Sequence, residues 1–206
     1  MPTLIERFES ALHENAPDFG TQLDGSTIGR LSRYYELLWK WNPRLHLVAP
    51  CSPEEFATRH VLESLFLLPH LRPGSRVIDV GSGGGLPIIP CLIAGDGLQA
   101  TLIESSQRKV VFLREAVRQI SAKATVIAQR FEDLPPPAAD YVTCRALERL
   151  TQNFPALVRW SPPKSSLLFF GGNALHQRIE SAGMKFSTVK IPRSQRRFLF
   201  VIDSSV

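Results

Sequence analysis

The chain has 206 residues, 44% hydrophobic and 21% charged, the balance of one ordinary soluble globular unit rather than a disordered or fibrous one. No run approaches the roughly 18 apolar residues needed to span a bilayer, and an N-terminus carrying Glu6, Glu9 and Glu14 is unlike a signal peptide. A net charge of +5 suits a polyanionic partner, while three widely spaced cysteines (Cys51, Cys91, Cys144) argue against a disulfide framework or a zinc site and point to a reducing cytoplasm.

In chain order, residues 3–15 read as a helix with Leu4, Ile5, Phe8 and Leu12 on its apolar side, broken by Pro17 and Gly20. A second helix starts near Ser26, with Ile28, Leu31, Tyr34, Leu38 and Trp41 as one stripe, and Pro43 is expected to stop it. Residues 42–48 then read as an extended loop. A third helix starts at the Ser52-Pro53-Glu54-Glu55 cap and runs to about Leu68, carrying Arg59, His60, Glu63 and Ser64. The Arg72-Pro73-Gly74 turn divides this N-terminal helical extension, 1–72, from a core domain, 73–206.

The core alternates strand and helix. Strands are expected at 76–81, 100–104, 125–128, 140–144 and 166–170, with helices at 86–94, 106–120, about 151–160 and 174–182. Two last strands, 186–189 and 198–202, lie close enough to pair antiparallel. The pattern implies an α/β, Rossmann-like fold with a mainly parallel sheet, whose ligand binds beyond the C-terminal strand ends.

The first strand carries the sharpest signal. Arg76 to Pro87 passes from an apolar run through Asp79, Gly81, Gly83, Gly84 and Gly85 to Leu86. The third glycine of a dinucleotide fingerprint would fall at Leu86, and no P-loop Lys-Ser/Thr follows. D-x-G-x-G-x-G suits a ligand with a ribose and a charged amino acid part, and S-adenosylmethionine (SAM) fits that description. Glu104, at the second strand's end, is placed to accept from ribose hydroxyls. Phe131-Glu132, after the third strand, reads either as an adenine subsite or as a core aromatic beside a surface acid. Arg145, after the fourth, reads as a carboxylate or phosphate ligand at the meeting of cofactor and substrate, or as a surface ion pair. His60 beside Arg59 has no partner that makes it a base, and no residue cluster suggests a metal. The C-terminal bases, including Arg193, Arg196 and Arg197, interleave with Phe186 and Phe198 as a nucleic-acid face or as solvated edge charge.

From about Trp39 onward the chain resembles the bacterial small-subunit (16S) ribosomal RNA methyltransferase G family, also called glucose-inhibited division protein B. The resemblance rests on Trp41-Asn42 with Leu47, on Arg59-His60-x-Leu62-x-Ser64, and on Asp79-Val80-Gly81-x-Gly83-x-Gly85-Leu86-Pro87-x-Ile89-Pro90. Ser105, Arg108-Lys109, Phe112-Leu113-Arg114, Arg130-x-Glu132 and Arg145-Ala146 continue it. It implies a SAM-dependent methyltransferase fold and methylation of N7 of a guanosine in 16S rRNA by a cytoplasmic enzyme, expected to be a monomer without metal or membrane. It also implies that Asp79, Gly81, Gly83, Gly85, Leu86, Glu104, Phe131, Glu132 and Arg145 form the cofactor site, with Arg145 as catalytic organiser. Asn42, Arg59, His60, Arg108, Lys109, Arg193, Arg196 and Arg197 are then expected on the RNA, free or in an assembled small subunit.

The chain departs from the family pattern at His46-Leu47-Val48 for N-L-T, at Glu63 for aspartate, at Gly171-Gly172 for Lys-Gly, and at Arg196-Arg197 for E-R. Lys164 and Arg197 are the candidates to stand in for the missing lysine. Two other readings stay open: a SAM- and RNA-binding protein of weak or altered activity, and a small-molecule methyltransferase.

Overall fold

Strand β1 (Arg76–Val80) is the centre of the molecule, buried at every position after Arg76. In the computed structural model, which describes residues 1–145 and 150–203, it pairs in parallel with β2 (Gln99–Ile103) on one side and β4 (Tyr141–Cys144) on the other. β3 (Ala124–Ile127) extends the sheet beyond β2, and β5 (Ser166–Gly171) beyond β4, both in parallel. β6 (Phe186–Lys190) and β7 (Phe198–Asp203) form the expected antiparallel pair. The later strand, β7, sits inside, against β5, and β6 takes the edge, giving the order β3-β2-β1-β4-β5-β7-β6.

Side chains alternate across this sheet, so each face has its own core. Val77, Leu102, Leu168, Phe170 and Leu199 pack beneath α1 (Leu4–Asn15), α2 (Gly25–Leu45), α5 (Ile88–Ala94) and α6 (Gln107–Gln119). Ile78, Val80, Ile103, Val142 and Phe169 pack beneath α7 (Leu150–Trp160) and α8 (Asn173–Ser181). The N-terminal helices thus share one apolar core with the sheet. No helix among the described residues is long and apolar enough to cross a membrane.

Three details differ from the sequence expectations. Leu4 is 59% exposed, because the face of α1 that packs is set by Phe8, Ala11 and Leu12, with Phe8 stacked on Tyr35 at 4.4 Å. Pro43 does not stop α2: it falls in the last turn, where its missing N–H forfeits a single backbone bond, and the helix ends at His46 in the left-handed conformation. The third helix is not uniform. Ser52 caps α3 (Pro53–Glu55) as expected, but a π-helical stretch, Phe56–Leu62, follows before α4 (Glu63–Leu65). π-Helical turns recur at functional sites.

Candidate functional site

A cavity of about 750 Å³ opens beyond the C-terminal ends of β1 to β4. That is where the order of a parallel sheet reverses, here between β1 and β4, and where ligands of such sheets bind. Its floor is the glycine loop. Gly81, Gly83 and Gly85 all have positive φ, 72°, 52° and 82°, a conformation that L side chains rarely adopt. Gly81 and Ser82 donate their N–H groups to the Ile103 carbonyl, fixing the loop to the end of β2. Tyr34, fully buried in α2, donates its hydroxyl to the Gly84 carbonyl at 2.5 Å.

Glu104 lines the cavity where the sequence places it. One carboxylate oxygen accepts the Gly83 N–H at 2.9 Å and the other the Ser106 N–H at 2.8 Å. Each oxygen keeps a second lone pair for a ligand hydroxyl. Gly81, Gly83, Leu86, Phe131, Glu132 and Arg145 line the same cavity, with His60 and Lys109 at its wall. Phe131 is buried edge-on to Trp160 at 5.5 Å, while Glu132 is exposed and pairs with Arg130. Both sequence readings of this pair therefore hold in part: a core aromatic and an acid, each touching the cavity.

Asp79 and Gly85 lie behind the wall rather than on it. Asp79 points into the core beneath the loop, 1% exposed, with one carboxylate oxygen lacking a hydrogen-bond partner among the described residues. Burial pushes its pKa up to about 7, with the Ser82 hydroxyl opposing that rise and Glu104 adding to it. Gly85 packs so tightly that a Cβ there would stand 2.3 Å from Ile89 Cδ1; its role is to close the turn on α5.

Arg145 does not present a free guanidinium to a ligand. Nη1 donates to the His60 carbonyl at 3.0 Å and the Ser64 hydroxyl at 3.1 Å; Nη2 donates to the Arg59 carbonyl and to Glu63 at 2.8 Å. It lies over the Phe170 ring at 5.6 Å. Arg145 thus pins the π-helical stretch, whose carbonyls are freed from the usual α-helical register, to the end of β4. The ion pair weighed from sequence exists, but it is buried: the side chains are 11% and 3% exposed. Glu63 also holds Arg197, at 2.7 Å. Burial raises the Glu63 carboxyl pKa and the two guanidiniums oppose the rise.

The expected RNA residues separate. Asn42 is buried and makes two hydrogen bonds to the Val48 backbone, so it shapes the loop whose Leu47, Val48 and Ala49 line the cavity. Arg193 is tied to Asp18 at 2.7 Å and Arg197 to Glu63, which leaves Arg196 as the one of the three without an ion pair among the described residues. Arg59 pairs with Glu55. Arg108 is exposed on α6. His60 faces the cavity with its ring against Phe56, and burial, then the charges of Arg145, Arg59 and Arg197, push it down to about 3. Of the candidates for the missing lysine, Lys164 precedes β5 at the opposite end of the sheet, while Arg197 lies beside Glu63 and Arg145. Ala146 lies outside the described residues. Sequence reasoning did not assign Tyr34, Glu63, Gln129 or Asn153 to the site. Glu63 signals itself as a carboxylate in an apolar turn, Leu62-Glu63-Ser64-Leu65, at the place of the family's aspartate, and the other three carry no local signal.

The sheet order and the cavity define the fold of the SAM-dependent methyltransferases. An O-methyltransferase from Bacillus cereus, solved with S-adenosylhomocysteine, is similar with a TM-score of 0.62 at 12% identity, over 95% of this chain and 99% of that one. A SAM-dependent methyltransferase from Aquifex aeolicus gives 0.57 at 16% identity, over 72% and 92%. More particularly, the family model for rRNA small subunit methyltransferase G matches residues 27–199, and the chain belongs to that family. The protein of that name from Gluconobacter oxydans is 43% identical over 143 residues, 69% of this chain and 72% of that protein. The one from Xanthomonas euvesicatoria is 40% identical over 159 residues, 76% and 74%.

Proposed function

We propose that the protein binds SAM in the cavity above the glycine loop and methylates N7 of a guanosine in 16S rRNA. The observation that carries the reading is the lining. Glu104 offers oxygen lone pairs to a ribose, Ile103, Leu86 and Phe131 offer apolar surface to a base, and the glycine loop leaves backbone where a side chain would fill the space. The volume falls within the range of small-molecule sites, roughly 300–1,000 Å³. When bound, SAM supplies an electrophilic methyl group.

The rest of the chemistry is positioning. Guanine N7 carries a lone pair and no proton at neutral pH, so no general base is required. Neither candidate beside Arg145 is placed to serve as one: half-buried His60 lies among three arginines, and Glu63 is held by two. Arg145 acts through the helix it pins, and is a positioning residue rather than a catalytic one. Lys109, at the cavity wall, is a cation available to a phosphate. The three widely spaced cysteines, Cys51, Cys91 and Cys144, suit a reducing cytoplasm.

The test is titration with SAM and with NADH, followed by methyl transfer to 16S rRNA or assembled small subunits with mass mapping of the product. SAM should bind and NADH should not, and Glu104→Ala should weaken SAM binding. Product mapped to any site other than guanine N7 overturns the proposal. His60→Ala should leave the pH profile of single-turnover methyl transfer unchanged between about pH 6.5 and 8.5, around the ordinary histidine value.

A further inference from the structure

α2 and α6 lie side by side over one face of the sheet, with Trp41 and Phe112 in edge contact at 6.2 Å in the seam and Gln119 donating to the Arg33 carbonyl. The outer surface of this pair is basic on balance, with Glu36 and Glu115 as the acids among its cations. Arg33, Lys40 and Arg44 recur along α2, and Arg108, Arg114 and Arg118 along α6, all exposed. Arg118 pairs with Glu115. The other five have no ion-pair partner among the described residues, unlike Arg193 and Arg197 at the C-terminal end. Only Met1, Leu4 and Val111 are large hydrophobic residues left exposed among those described, and Val111, at 53%, stands between Arg108 and Arg114. The surface is continuous with the cavity, because Lys109, next to Arg108, lines the wall. From Arg108 to Arg118 α6 rises about 15 Å.

We propose that the α2–α6 face is the docking surface for the phosphate backbone of the substrate RNA, entered from the cavity at Lys109 and followed along α6. Unpaired cations in a row fit a polyanion, and Val111 gives sugar edges an apolar contact among them. The proposal rests on the RNA methyltransferase reading and adds where the RNA lies outside the cavity. It extends the expected RNA contacts at Arg108 and Lys109 along α6 and onto α2, and does not use those expected at the C-terminal strands.

The test compares two triple reversals that change net charge equally: Arg33→Glu/Lys40→Glu/Arg114→Glu on the face, and Arg178→Glu/Lys185→Glu/Lys190→Glu beyond it, on and around α8 and β6. The probe is a 16S rRNA transcript, and binding is measured across a salt series. Each phosphate contact contributes about 0.7–0.9 to the slope of log affinity against log salt, so the first triple should flatten it by about 2–3 and the second should barely move it. If the reversals lower the thermal midpoint, the corresponding glutamine triple should give the same flattening. Unchanged slope in the first triple, or equal loss in both, overturns the surface. A wild-type protein that binds the transcript through this face, yet methylates neither it nor assembled subunits, overturns the enzymatic reading and leaves the surface standing.

Discussion

Asp79 shows how a residue conspicuous in the sequence acquires a different meaning in the fold. Its place two residues before Gly81 suggests contact with a ligand, yet the pleat of β1 turns it beneath the loop, toward Tyr34 and the core. A carboxyl whose folded pKa is raised from 3.8 to about 7 keeps its proton in the native state over a window in which the unfolded chain has lost it. Stability contributed by Asp79 therefore falls as pH rises from about 4 to 7. Asp79→Asn removes that dependence, so the variant should gain little at pH 4 and on the order of a few kcal/mol at pH 8. Urea midpoints at the two pH values measure this. An equal shift at both would mean that Asp79 does not titrate in the folded protein. Gly171 is informative in another way. A Cβ there would meet Leu175 Cδ2 at 2.5 Å, so the loss of the family lysine goes with a β5–α8 turn closed too tightly for a side chain.

Among elements, the π-helical stretch between α3 and α4 organises the site's outer wall. Arg145, arriving from β4, takes the carbonyls of Arg59 and His60, and Glu63 joins that guanidinium to Arg197 at the start of β7. One carboxylate thus holds three segments together. Replacing it leaves two guanidiniums with no counter-charge, a defect that costs about 3–5 kcal/mol at buried pairs; Arg197 is 37% exposed, so its share is smaller. Glu63→Gln should lower the thermal midpoint and speed amide exchange in residues 56–65 well before the β1–β2 core. Uniform exchange across the chain would show that the triad adds nothing local. The strands, the cavity floor and Glu104 were legible in the sequence because their signals are local: β-branched runs, glycines in a turn, an acid at a strand's end. The triad was not, since Glu63 and Arg145 stand 82 residues apart in the chain and Glu63 and Arg197 134 apart. Spacing along a helix also says nothing of a π register, and a proline near a helix end reads the same whether or not the last turn forms.

At the scale of the whole molecule, two faces of one sheet divide the labour. One is covered by α7 and α8 and gives the cavity Ile103, Phe131 and Asn153; the other carries the N-terminal helices, the cavity loop 47–49 and the basic surface. Both meet at the order reversal between β1 and β4. The insertion of β7 between β5 and β6 has a consequence for birth on a ribosome, where the chain emerges N-terminus first. Until residues 198–203 have cleared the exit tunnel, β5 offers an open edge rich in Leu and Phe, and β6 has nothing to pair with. Such an edge is a template for self-association. A chain truncated after residue 192 and released should be cut readily by protease across 166–190, and a chain carried through residue 203 should resist cleavage there in a single step.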